Sequence, residues 1–240
     1  MPSESRTTLR WPALVLDDRA LGFIKWLALV LMVIDHVNTA LLDGAQPWMH
    51  AAGRVAMPLF AVALGYNLGR EGARAAGAYA RTAWRLLAFG ALATPAFMQV
   101  NDLHAGWYPL NMMVSLLVAT LAAALIDGGG AWRRMAAGVL VAVGGGLVEF
   151  WWPGIGLCLA AWAYHRHPSA AAALLFFASL VALYAIHANH WALAAVPVLA
   201  LAPGWRMALP RARLFFYAFY PLHLTALWLL RDLGSGTLPT

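Results

Sequence analysis

The fold class predicted from this sequence is an all-α integral membrane protein with about nine transmembrane helices, and three observations lead to it. Hydrophobic residues make up 62% of the 240 positions and charged ones only 11%, with a mean hydropathy of +0.69, a composition that water does not keep monomeric. Apolar stretches near the ~20 residues needed to cross a bilayer recur along the whole chain. The connectors between them are short and rich in Gly or Pro, as at 127–130 and 203–210, so the chain reads as one membrane domain over 1–240 preceded by a short cytoplasmic tail, 1–19.

The spans run in order. Leu21 to Leu42 is the first, and it is too long and too polar at its centre for a cleaved signal peptide. Pro47 to Leu68, Tyr79 to Gln99, Tyr108 to Ile126 and Trp132 to Val148 follow, then Phe150 to Tyr164, Ser169 to Ile186, the short Trp191 to Ala202 and Leu214 to Leu230. The twelve tryptophans suit interfacial belts and packing. A single cysteine, Cys158, excludes an internal disulfide and a cysteine-rich metal site. Gly144 to Gly146 suit helix contacts within the chain or between copies, which leaves the oligomeric state open.

Orientation follows from the basic residues, because cytoplasmic loops carry them in excess. With the N-terminus inside, fourteen of the sixteen Lys and Arg residues fall on the cytoplasmic side and only Arg54 and Arg231 fall outside. Nine spans then put the C-terminus in the periplasm of a bacterial inner membrane. His50, His104, His187 and His190 are expected at the outer interface, and no metal is expected.

Within this frame Asp35 and His36 stand out, because they sit side by side inside the first span. An Asp near the middle of a membrane helix costs roughly 2.5 to 3.5 kcal/mol, so such a pair is a functional candidate. His36 lies six residues before Leu42, roughly 9 Å below the outer end of its helix. The second span needs Arg54 inside the membrane, since Val55 to Gly69 reaches only roughly 22 Å against a ~30 Å core. Pro58 acts at the same depth by freeing the carbonyl of Arg54, four residues earlier. Neighbours on a helix diverge by about 100°, so Asp35 is not placed to orient His36 and is expected to pair with Arg54.

These residues carry a resemblance. IKWLALVLMVIDHV, a polar loop, GRVAMPLFAVALGYNLGR and YARTAWRLL resemble the TraX family of membrane acetyltransferases, the conjugal transfer proteins of the TraX and TrbP kind, across roughly Phe23 to Leu87. Near the C-terminus, FFYAFYPLHL is similar to the family's pattern of aromatic residues, Tyr-Pro and His, which brings in Tyr220 and His223; Glu149, with Gly154 and Gly156, is similar to its acidic residue before a glycine-containing turn. The resemblance implies transfer of an acetyl group from cytosolic acetyl-CoA to an amine at the outer face, above all the N-terminus of a conjugative pilin.

For that chemistry His36 is the expected base, since a neutral imidazole accepts a proton from an attacking amine. Arg54 is expected either to pair with Asp35 or to stabilise the tetrahedral intermediate. Arg70, Arg74, Arg81 and Arg85 crowd the cytoplasmic face and suit the CoA phosphates, although positive-inside topology alone accounts for their presence. Asn111 and His223 lie within spans and must find partners, and a structural hydrogen bond is the plainer role for each. The expected partners are the bilayer and a pilin or other amine-bearing acceptor, with no nucleic acid. Other peptide or sugar acceptors, a proton-coupled transporter and a non-catalytic assembly protein remain alternatives.

Overall fold

The computed structural model describes residues 11–103, 106–210, 212 and 214–235, and these residues form helices with no strand among them. Of the sequence expectations, those on Arg6, Arg10, His104, Arg211 and Arg213 lie outside the described residues. The helices are α1 (Asp18–Leu41), α2 (Pro47–Gly53), α3 (Ala56–Gly69), α4 (Ala78–Val100), α5 (Met112–Asp127), α6 (Ala131–Gly145), α7 (Trp151–Arg166), α8 (Ala170–Ala182), α9 (Tyr184–His187), α10 (Ala195–Leu201) and α11 (Phe215–Ser235). Single 3₁₀ turns, Trp191–Ala194 and Ala202–Gly204, flank α10.

Among the described residues, three helical stretches are able by length and composition to cross a membrane: Asp18–Leu41, Pro47–Gly69 and Ala170–His187. The predicted second span is therefore one stretch broken in the middle. The break falls at Arg54 and Val55, whose amides reach back only three residues, to Ala51 O at 3.3 Å and Ala52 O at 3.2 Å. Pro58, without an N–H, leaves the Arg54 carbonyl unclaimed by the helix, which is why the kink sits there. The predicted eighth span is three short pieces over Trp191–Gly204, roughly 21–25 Å long, shorter than the hydrocarbon core.

Local chemistry sets the helix ends that matter to the site. Asp17 caps α1 by accepting from Ala20 N at 2.7 Å. Asn38, 1% exposed, holds the turn after α1 by exchanging hydrogen bonds with the Gln46 backbone at 2.9 and 3.1 Å. That double bond returns the chain antiparallel and lays α2 beside α1 at the level of Asp35. Residues 11–17, which precede α1, are pinned to the bundle: Leu16 N donates to Tyr66 Oη at 3.2 Å, and Tyr164 Oη donates to Pro12 O at 2.6 Å.

α3 occupies the centre, packed on α7 and flanked by α1 and α5, while α11 fits between α1 and α4 and so joins the two ends of the chain. The approach of α3 to α7 is backbone-close: a methyl group on Gly65 would lie 2.7 Å from Trp162 N and 2.8 Å from Cys158 O. Met57, Leu59, Leu86, Phe97, Ile155, Leu157 and Leu224 fill the core. Large apolar side chains also face outward in helical register, Trp132, Met135, Val139 and Val143 on α6 and Leu174, Phe177 and Val181 on α8. A lipid environment satisfies such faces and water does not.

Candidate functional site

At the end of the bundle where α1 finishes, Arg54 gathers three elements. Its Nη2 donates to Asp35 Oδ2 on α1, its Nη1 meets His187 Nδ1 on α9 at 2.9 Å, and its Nε donates to His50 O at 3.2 Å. The Asp35 and Arg54 side chains are 13% and 15% exposed, so this ion pair is largely shielded from solvent. His50 Nδ1 stands 3.5 Å from Asp35 Oδ1. The pair closes only because position 53 is glycine: a methyl group there would lie 2.6 Å from Asp35 Oδ2 and nearer still to Asp35 Cβ and Cγ.

Glu149 comes to the same neighbourhood from the turn between α6 and α7. These helices have 15 and 16 residues, roughly 22 and 24 Å, so the turn joining them dips into the bundle. It is held there by two backbone bonds, Leu110 N to Leu147 O at 2.9 Å and Glu149 N to Leu110 O at 2.8 Å. Two polar atoms of this neighbourhood, Glu149 Oε2 and His187 Nε2, are buried without a hydrogen-bond partner, and Asp35 Oδ1 has only the long contact with His50. Buried polar atoms are normally satisfied, so these exceptions single out the neighbourhood as a candidate site.

His36 faces α11 rather than Asp35. Its Nδ1 lies 2.7 Å from His223 Nε2, and His223 Nδ1 lies 2.8 Å from the Phe219 carbonyl one turn earlier. The two imidazoles stack at 5.0 Å, with the buried Tyr220 ring edge-on to His36 at 6.2 Å and to His223 at 5.6 Å. His223 is 8% exposed.

A cavity of about 620 Å³ starts at the opposite end of the bundle and runs toward this histidine pair. Asp18, Lys25, Arg70, Arg81 and Arg85 line it at one end, and Met32, Met112 and Tyr220 at the other. Met32 lies four residues before His36 and Tyr220 three before His223, so the cavity ends one helical turn from the pair. Arg70 donates to Asp18 Oδ1 at 2.7 Å, Arg81 donates to Ala76 O, and Arg85 lies over the Tyr217 ring at 5.8 Å. Arg74 is committed elsewhere, to Ala124 O at 3.0 Å and to Asp127, which Arg166 also binds.

The family model described as TraX protein matches residues 20–231, a stretch that contains every residue of the cluster. The chain belongs to the TraX family. Protein TraX of Escherichia coli is 33% identical over 221 residues, which cover 86% of this chain and 85% of that protein. Protein TraX of Escherichia coli strain K12 is 38% identical over 128 residues, 52% of this chain and 47% of that protein. No solved structure matches.

Of the residues that the TraX resemblance singles out, Asp35 and Arg54 meet directly, Tyr220 and His223 surround His36, and Glu149 enters beside Asp35 and Arg54. Asn111 is placed differently: fully buried, it caps α5 by accepting from Met113 N at 3.0 Å and donates to Gly90 O and Thr94 Oγ1 at 2.9 and 3.2 Å. Those bonds tie α5 to α4, a structural task. Two residues went unread as parts of the site. His187 was expected to face the outer interface, yet it turns inward onto Arg54, and Gly53 carried no site role. Depth was the available signal for Gly53, since it adjoins Arg54 opposite Asp35.

Proposed function

We propose that this chain is a membrane acetyltransferase of the bacterial inner membrane, drawing acetyl-CoA from the cytoplasm and acetylating an amine at the periplasmic face, with a conjugative pilin N-terminus as the first acceptor to test. The observation that carries this reading is the cavity that runs from a basic mouth to within one helical turn of a histidine pair. Arg70, Arg81 and Arg85 at the mouth suit the phosphates of CoA, and a mouth in the cytoplasm also obeys the positive-inside rule. The apolar part of the cavity beyond them, lined by Leu29, Met32, Met112 and Leu116, suits the pantetheine arm. The N-terminus is then cytoplasmic and the C-terminus periplasmic.

The proposed reaction balances as follows. An acceptor ammonium loses one proton to water and becomes a neutral amine. Its nitrogen attacks the thioester carbonyl, forming a C–N bond while the carbonyl electron pair moves to oxygen. His36 takes the second proton from nitrogen; the intermediate then collapses, the C–S bond breaks, and the departing CoA sulfur receives that proton from His36. Arg54 is already engaged by Asp35, His50 O and His187, so it holds the frame of the site rather than the intermediate.

The test is transfer of labelled acetyl groups from acetyl-CoA to a co-reconstituted pilin peptide in membranes containing the wild-type chain. A His36→Ala variant that folds and keeps wild-type turnover sinks the proposal. Transfer to a sugar amine in preference to the peptide would redirect the acceptor and leave the chemistry standing.

A further inference from the structure

The hydrogen-bond order around His36 follows from donor and acceptor rules alone. The Phe219 carbonyl accepts and cannot donate, so the His223 nitrogen 2.8 Å away, Nδ1, carries a proton. In a neutral His223 the other nitrogen, Nε2, is then a bare lone pair. That lone pair lies 2.7 Å from His36 Nδ1, which must therefore be the donor of this contact. A neutral His36 has only one ring proton, so its Nε2 is unprotonated.

We infer that His223 is the positioning residue of the His36 base: it holds the His36 proton on Nδ1 and thereby leaves Nε2 as the nitrogen that accepts the proton of the attacking amine. The inference rests on the acetyltransferase reading. When Nε2 takes that proton the ring becomes cationic, and the His223 lone pair still receives the Nδ1–H, so no hydrogen bond breaks during the transfer. Burial strengthens the point, since the other tautomer of His36 would carry its proton on Nε2 and leave two lone pairs facing each other at 2.7 Å. Both rings are held from outside the contact: His223 by its own helix, and each by the edge of Tyr220. Sequence distance hides the arrangement, for 187 residues separate the two histidines.

The test reads the tautomer and the turnover separately. In the full chain in detergent micelles, ring-nitrogen NMR with ¹⁵N-labelled histidine, with the His36 signals identified by their loss in His36→Gln, is expected to show a protonated Nδ1 and a bare Nε2. His223→Leu removes the acceptor and fills the space with apolar atoms; the His36 proton is expected to redistribute onto Nε2, and kcat to fall about a hundredfold with KM for acetyl-CoA unchanged, the scale of a lost general base. His223→Gln keeps an amide oxygen for His36 Nδ1 and is expected to restore the tautomer and most of kcat. A proton on Nε2 in the wild type, or a His223→Leu variant with wild-type tautomer and turnover, overturns the inference. Absence of acetyl transfer by the wild-type chain sinks the acetyltransferase reading instead, and the nitrogen spectrum still decides the hydrogen-bond order.

Discussion

The two ends of the bundle use the same pairing of arginine with aspartate, and solvent makes the pairs unlike. At the arginine-rich end the Arg70 and Asp18 side chains are 42% and 50% exposed; at the other, Arg54 and Asp35 are 15% and 13% exposed. An exposed pair contributes about 0–1 kcal/mol, because water screens the attraction and both side chains lose freedom. A shielded pair depends on each partner, since removing one leaves the other charge buried without its main counter-charge. The first kind is suited to exchanging its carboxylate for an incoming anion, the second to holding helices in register. Solvent exposure thus separates two chemically similar pairs, one loosely held and one fixed.

The largest expected effect is at Arg54. Arg54→Ala strands Asp35 inside the bundle and is expected to cost roughly 3–5 kcal/mol, read as an earlier unfolding transition in detergent. The double variant Asp35→Asn with Arg54→Ala removes the charge as well as its partner and is expected to recover much of that loss. If the double variant is no more stable than the single one, the pair is not the source of the cost and the contrast between the ends breaks.

Gly53→Ala comes next. Its methyl group would intrude on Asp35, and the helices must part to admit it, at roughly 1–3 kcal/mol of overpacking. The same exchange at Gly72, with nothing within 4 Å but a φ of +73°, tests backbone strain alone and serves as the comparison at the arginine-rich end. A Gly53 variant as stable as wild type would mean that α1 and α2 tolerate a wider spacing.

How much of this was legible follows the same division. The helices and the pairing of Asp35 with Arg54 could be read because span lengths fix depth, and Pro58 marks the kink. The contact of His36 with His223 could not, since hydropathy says which segments are helices and not that α11 packs beside α1. His187 sits on the four-residue α9, at the end of the stretch that α8 begins, and no period announces that it meets Arg54 from across the bundle. Glu149 had a readable signal in the shortness of α6 and α7, whose joining turn had to lie below the surface.

Asn111 sharpens the contrast from within the core. It carries no charge, yet it caps α5 and supplies two bonds to α4, so Asn111→Ala is expected to cost about 1–2 kcal/mol in the same unfolding measurement. An effect above that of Arg54→Ala would place the critical cross-link between α4 and α5 and not at the ion pair.

The smallest effect on stability is expected where the proposed effect on binding is greatest. Arg70→Gln and Arg85→Gln remove exposed or half-exposed charges from the cavity mouth, where the Arg70 and Asp18 side chains are 42% and 50% exposed and well screened by water. Unfolding is expected to shift by no more than about 0.5 kcal/mol, as for ordinary surface exchanges. A charge-assisted bond to phosphate is worth roughly 1.5–3 kcal/mol, so KM for acetyl-CoA is expected to rise about ten- to a hundredfold while kcat holds. Arg74→Gln is the internal control, because that side chain is turned to Asp127 and Ala124 and not to the cavity. If Arg74→Gln raises KM as much as Arg70→Gln, the anion is gathered by the field of the whole basic face and not by the residues that line the mouth.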